Sequence, residues 1–190
     1  MGELPSAPGE EASPALALVN SRRSSPSGDV DDLASPDQVK GWLAARGLPV
    51  VEGTVTRSDV ATLDSLRASA REILTALPDA RTPVPDAVTS VNLRAASAPG
   101  AVQLTWHEGE RPCRSWRSAA QGRFDAAAAA IAADTIRLAT GTRAALVRRC
   151  AAHGCVRVFL RTHARRRWCS NICGDRVRAR RHYHRHQSPH

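Results

Sequence analysis

Cys150, Cys155, Cys169 and Cys173 fall within 24 residues, spaced C-x4-C, then thirteen residues, then C-x3-C. Two close thiol pairs joined by a short loop are what a tetrahedral structural zinc ion requires, each pair presenting two sulfurs to one metal at about 2.3 Å. A redox dithiol is the competing chemistry, yet neither pair is the C-x-x-C that tunes thiolate acidity. His153 and His163 are alternative nitrogen ligands. His153 lies inside the first pair, where an exposed place in the knuckle suits it better, so four sulfurs are the expected set. Cys113, the fifth cysteine, is too distant to assign and reads as a partly buried thiol.

The same stretch carries a second kind of chemistry. From Arg143 to His190 there are thirteen arginines, no lysine and one acid, Asp175, for a net charge of +12. The whole chain is +9, which leaves −3 for the preceding 142 residues. Arg165, Arg166 and Arg167 form one basic cluster, and Arg176, Arg178, Arg180 and Arg181 a second, on either side of the second cysteine pair. Guanidinium groups grip phosphate in a bidentate fork and also read guanine. The expected partner is therefore nucleic acid, double-stranded DNA before others; the alternative is RNA or an acidic protein surface. No H-E-x-x-H, P-loop, G-x-S-x-G or recognisable carboxylate pair occurs, and a four-thiolate zinc has no open position for water, so the chain does not read as an enzyme.

Something must hold these residues in place. A module of some forty residues whose apolar set is Val156, Val158, Phe159, Leu160, Trp168 and Val177 cannot bury enough surface alone. Metal binding supplies the missing stability. A strand over Val156–Leu160 and a helix from Asp175 to about His184 are expected there. Upstream, residues 1–14 are rich in Glu, Pro, Ser and Gly and read as disordered. Ala15–Val19 is helix or strand, its length not deciding, and Ser24–Gly28 is a loop. Ser35-Pro36-Asp37 starts a helix with Val39, Trp42 and Leu43 on one face, ending at Gly47 with Pro49 as the stop. Further helices are expected from Ser58 to Leu77, Val84 to Ser97 and Phe124 to Thr140. Val102–Trp106 and Cys113–Trp116 form a hairpin around Glu108-Gly109-Glu110.

The expected fold is mainly α with a small β element. It comprises a disordered N-terminus (1–14), a mostly helical domain (15–142), a zinc-stabilised module (143–184) and a disordered tail (185–190). No apolar run of about 18 residues exists to span a bilayer, and the N-terminus lacks the basic and apolar regions of a signal peptide. A cytoplasmic location, where thiols stay reduced, follows as the expectation. The excess of Arg over Lys, 26 to 1, suggests a GC-rich bacterial genome.

The run Arg166-Arg167-Trp168-Cys169-Ser170 followed by Cys173-Gly174-Asp175-Arg176, together with Cys150–Cys155, Phe159-Leu160 and Ala179-Arg180, resembles the CGNR zinc finger family. The chain departs from that pattern in Asp175, where the family name has Asn, and in Arg161, where an acid follows Phe-Leu. Its inter-pair loop is also about one residue short. Residues 15–142 are similar to the ABATE domain in the Ala15–Asn20 start, Asp32-Leu33-Ala34, the Trp42-Leu43 helix and Gly47-Leu48. The resemblance implies a stress-induced transcription regulator acting at the nucleoid. Its finger would bind DNA, and its N-terminal domain would sense an unidentified small molecule or form a homodimer.

Overall fold

The computed structural model describes residues 5–25, 28–48, 54–106, 108–118 and 124–187; Pro49 and residues 188–190 lie outside them. The described elements run α1 (Pro14–Asn20), β1 (Arg22–Ser25), β2 (Gly28–Asp31), α2 (Pro36–Ala44), α3 (Arg57–Ala76) and α4 (Pro85–Ala96). They continue with β3 (Gly100–Thr105), β4 (Cys113–Ser118), α5 (Phe124–Thr140), β5 (Val147–Arg149), β6 (Val158–Leu160) and α6 (Asn171–Gln187). The strands pair as three antiparallel two-stranded sheets, β1-β2, β3-β4 and β5-β6. The protein is mainly α with small β elements.

The open question at Ala15–Val19 resolves as helix. Pro14 sits at the first helical position, and the Ser13 hydroxyl accepts from the Leu16 amide at 3.3 Å as N-cap. Ser13 in turn donates to Asp134 Oδ2 of α5 at 2.6 Å, and the Ala15 amide donates to the same oxygen at 3.0 Å. Both bonds are buried, so the cap also docks α1 on α5. Residues Ala15 to Asn20 are all buried, which is why α1 is apolar all round instead of striped. The helix α3 starts at Arg57, one residue earlier than expected, because Thr56 and Asp59 form a reciprocal capping box. Its buried face of Leu63, Leu66, Ala70 and Leu74 packs toward α1 and α5. Ala126 to Ala132 of α5 are buried throughout, and small side chains there let neighbouring helices approach closely.

The β1-β2 ribbon takes in Ser24, Ser25 and Gly28 of the stretch expected as a loop. Its residues, Arg-Arg-Ser-Ser and Gly-Asp-Val-Asp, carry no apolar alternation; Pro26 and Ser27 of the expected loop lie outside the described set. A polar tie secures it instead. Buried Arg67 of α3 grips Asp31 through two parallel bonds of 2.7 Å and also reaches Asp64 and the Ser21 hydroxyl.

Residues 5–13 are ordered, contrary to the disordered start expected for residues 1–14 (residues 1–4 lie outside the described set). They form a strap laid across the C-terminal hairpin. Pro8 oxygen accepts the Leu160 amide at 2.8 Å, Pro5 oxygen accepts Arg157 at 2.8 Å, and Ala7 is 2% exposed. The strap touches Leu160 at Gly9, whose φ is +87° and where an added Cβ would lie 2.6 Å from Leu160 Cδ1. Gly28 also has positive φ but has nothing within 4 Å of such a Cβ. Gly9→Ala should therefore lower stability by about 2–4 kcal/mol, conformational strain plus overpacking, while Gly28→Ala costs the strain alone. Denaturant midpoints of the two variants check this.

The strand β6 divides two cores. Val158 and Leu160 enter a cluster with Leu16, Val19, Ala70, Leu74 and Leu138 of the helical domain. Phe159, on the other face, packs with Ala7, Cys150, Cys169 and Cys173. Of the apolar set assigned to a self-contained module, two members thus belong to the helical core, and Val156 is exposed.

Candidate metal centre and basic surface

Each cysteine pair is placed by a simple local device. The β5-β6 pairing matches Val147 with Leu160 and Arg149 with Val158, so Cys150 leaves the end of β5. Its amide donates to the Arg157 oxygen at 2.9 Å, continuing the ladder by one bond. The chain then turns through Gly154, whose φ of +72° returns Cys155 toward Cys150. The second pair straddles the start of α6. Ser170 precedes the helix and accepts the Cys173 amide at 3.3 Å, the position of an N-cap, which puts Cys169 and Cys173 on one side of the first turn. The helix thus begins at Asn171, before the expected Asp175, and runs to Gln187, through the start of the segment taken for a tail.

The four sulfurs lie within 4.8 Å of one another. Cys155 to Cys169 is 3.8 Å and Cys169 to Cys173 is 3.6 Å. A tetrahedron with metal–sulfur bonds of about 2.3 Å has edges of about 3.8 Å. Disulfide bonding is far shorter, and all five cysteines are free. Hydrogen bonds from Cys155 and Cys169 hold the Cys150 thiol down to about 2. The Cys150 sulfur in turn pushes Cys155 up to about 11 and raises Cys169 as well. A bound dication favours the thiolate form of every ligand cysteine. Supporting bonds come from the Cys169 amide to Cys150 Sγ at 3.4 Å and from Arg176 to Cys173 Sγ at 3.9 Å. The set fits one structural zinc ion. His153 and His163 are both exposed and are not among the clustered ligand atoms. Cys113 is exposed at the start of β4, not partly buried.

The family models bracket both halves of the chain. The CGNR zinc finger model matches residues 147–186. The ABATE model, described as "Putative stress-induced transcription regulator", matches residues 12–142, more than two thirds of the sequence. The chain belongs to the ABATE family. Comparison with curated proteins gives no match. In this ABATE protein the zinc finger is joined to the helical domain by more than a linker, since β6 contributes to both cores.

The arginines separate by what they touch. Arg157 is 3% exposed and pairs at 2.7 Å with Glu10 of the strap, itself 13% exposed. Arg149 pairs with Asp79 at 2.8 Å. Arg166 donates to the Trp168 and Cys169 oxygens at 3.2 and 3.3 Å and lies over the Phe159 ring, which ties it to the metal knuckle. Arg178 pairs with Asp175 at 2.5 Å, with its guanidinium 5.9 Å from the Trp168 ring. Arg165, Arg167, Arg176, Arg180 and Arg181 are exposed. Beyond Val177 every described side chain of α6 up to Tyr183 is exposed, so this helix projects from the body.

The seat of the finger is the part that sequence reading misses. Glu10 Oε2 accepts from the Ala7 amide at 2.8 Å, Asn20 Nδ2 at 3.1 Å and Arg157 at 2.7 Å. Asn20 clasps Val158 twice, donating to its oxygen at 2.8 Å and accepting its amide at 2.9 Å. Arg71 of α3 donates to the Val156 oxygen at 2.5 Å and also to the Val19 oxygen. The only advance signal was Asn20 itself, a polar residue closing a wholly apolar run.

Proposed function

We propose that the protein is a DNA-binding transcriptional regulator of a bacterial stress response, its zinc finger binding double-stranded DNA while the helical domain senses a small molecule or dimerises. The observation that carries this reading is the projecting helix α6 beside the metal knuckle. Arg176 and Arg180, four residues apart, share one face of it, and Arg178 and Arg181 share another. A helix charged on more than one face and buried only at its root is costly to maintain without a partner; the major groove accepts an α-helix and surrounds it with phosphate. Arg165, Arg167, Arg176, Arg178, Arg180 and Arg181 are the proposed phosphate or base contacts, with Arg166 contributing by holding the knuckle. The protein acts in the cytoplasm, at the nucleoid. In this reading it is not an enzyme, since four sulfurs complete the coordination of a tetrahedral zinc. No helix among the described residues is long and apolar enough to cross a membrane.

The test is anisotropy of a labelled mixed-sequence duplex titrated with zinc-loaded full-length protein across a salt series. Binding should weaken steeply with salt, and duplex should compete better than single-stranded RNA or an acidic polypeptide. If either of those competes better, the partner is RNA or an acidic protein surface. Asp175 offers a finer check, because its carboxylate neutralises Arg178. Asp175→Asn should free that guanidinium, tighten duplex binding and steepen the log–log salt slope by about 0.9, one added phosphate contact.

A further inference from the structure

A cavity of about 330 Å³ opens where the strap, the end of α2, α5 and the β3-β4 hairpin meet. Its size lies at the low end for small-molecule sites. Ala12, Pro14, Leu48, Val102, Ala130 and Ala133 give it apolar walls. Glu10 is engaged by Arg157, Asn20 and the Ala7 amide, and Asp134 by Ser13, the Ala15 amide and Arg137. Arg46 is different. It is half-buried, with its guanidinium 4.2 Å from the Trp42 ring centroid. Among the described residues its guanidinium donates one hydrogen bond, to the Trp42 oxygen at 3.2 Å, and has no carboxylate in ion-pair contact. A guanidinium carries five donors, so most remain available toward the cavity. Glu11, also without an ion pair among the described residues, is exposed and lies on the strap side.

We propose that this cavity binds a small organic monoanion, a carboxylate on a compact apolar body, with Arg46 holding the anionic group. The apolar part lies against Leu48, Ala130 and Ala133. The site deepens the sensing half of the proposed function, and it gives that half a physical route. Glu10 lines the cavity and holds Arg157, and the next strap residues, Pro8 and Gly9, press on Leu160. A ligand favouring one position of the strap therefore biases how firmly the zinc finger is seated, to the extent that it binds that position better.

Zinc-loaded full-length protein is titrated with benzoate, 2-naphthoate and octanoate, and with the uncharged amides of each. Binding is read by calorimetry and by the thermal midpoint, with no DNA present. At least one carboxylate should bind and raise the midpoint while its amide does not. Arg46→Gln should weaken that binding by about ten- to hundredfold, the loss of a charged hydrogen bond. Ala133→Leu, which fills the cavity from α5 with a residue that favours helix, should weaken it as well. Both variants should keep full zinc content and wild-type duplex affinity. If none of the carboxylates binds wild type, or if Arg46→Gln and Ala133→Leu both bind as tightly as wild type, the site is refuted. Either result leaves duplex binding, measured separately, standing or falling on its own.

Discussion

Cys169→Ser should abolish zinc binding and unfold residues 147–187 as a tertiary unit. Cys169 is buried and touches three of the knuckle's features: sulfur contacts with Cys155 and Cys173, and an amide bond to the Cys150 sulfur. Structural zinc contributes about 10–16 kcal/mol to folding in small modules, as much as the whole stability of a typical domain. The damage should also reach the helical domain. Val147, Val158 and Leu160 are buried in the cluster shared with α1, α3 and α5, and each is worth about 1.5–3 kcal/mol of apolar burial. Losing them exposes Leu16, Val19 and Leu74. The thermal midpoint of the helical domain should therefore fall as well, with amide exchange quickening in α1 and the C-terminal half of α3. A Cys169→Ser protein that keeps one zinc per chain and wild-type exchange would contradict this.

Arg157→Ala should be strongly destabilising although it leaves every cysteine in place. It removes the partner of a Glu10 carboxylate that is nearly buried and strips the Pro5 oxygen of its donor. Breaking a buried ion pair from one side costs about 3–5 kcal/mol because the remaining charge stays unpaired. Glu10→Ala leaves the cation buried and should be similarly costly, whereas the double substitution should cost less than the sum. That coupling, read from denaturant midpoints in a double-mutant cycle, separates the pair from the packing around it. Zinc should still bind, since Arg157 contacts the knuckle only through its backbone. Additive costs would mean that the Arg157–Glu10 pair does not hold the strap.

The parts legible in the sequence are those with local causes. Ser35-Pro36-Asp37 caps α2 through its own hydroxyl, and the three-and-four spacing of Leu63, Leu66, Ala70 and Leu74 sets the buried face of α3. The cysteine cluster was legible because four of five cysteines fall together, and their sulfurs do converge. The strap was not. Its Glu, Pro, Ser and Gly have no apolar period, and its order comes from Arg157 and Leu160, some 150 residues away in the chain. The β1-β2 ribbon was hidden for a related reason, since a buried guanidinium on α3 stabilises it. Arg166 was hidden among identical neighbours; two backbone oxygens and the Phe159 ring, all tertiary features, distinguish it from Arg165 and Arg167.

In the proposed function, metal builds the finger and exposed arginines use it. The most direct test replaces Arg165, Arg167, Arg180 and Arg181 with alanine together and measures zinc content and duplex affinity across a salt series. The variant should retain one zinc ion while its duplex affinity collapses. Its log–log salt slope should shrink by about 3 to 4, one step of about 0.9 for each lost phosphate contact. A zinc-loaded variant that binds duplex with wild-type affinity and slope would contradict the account.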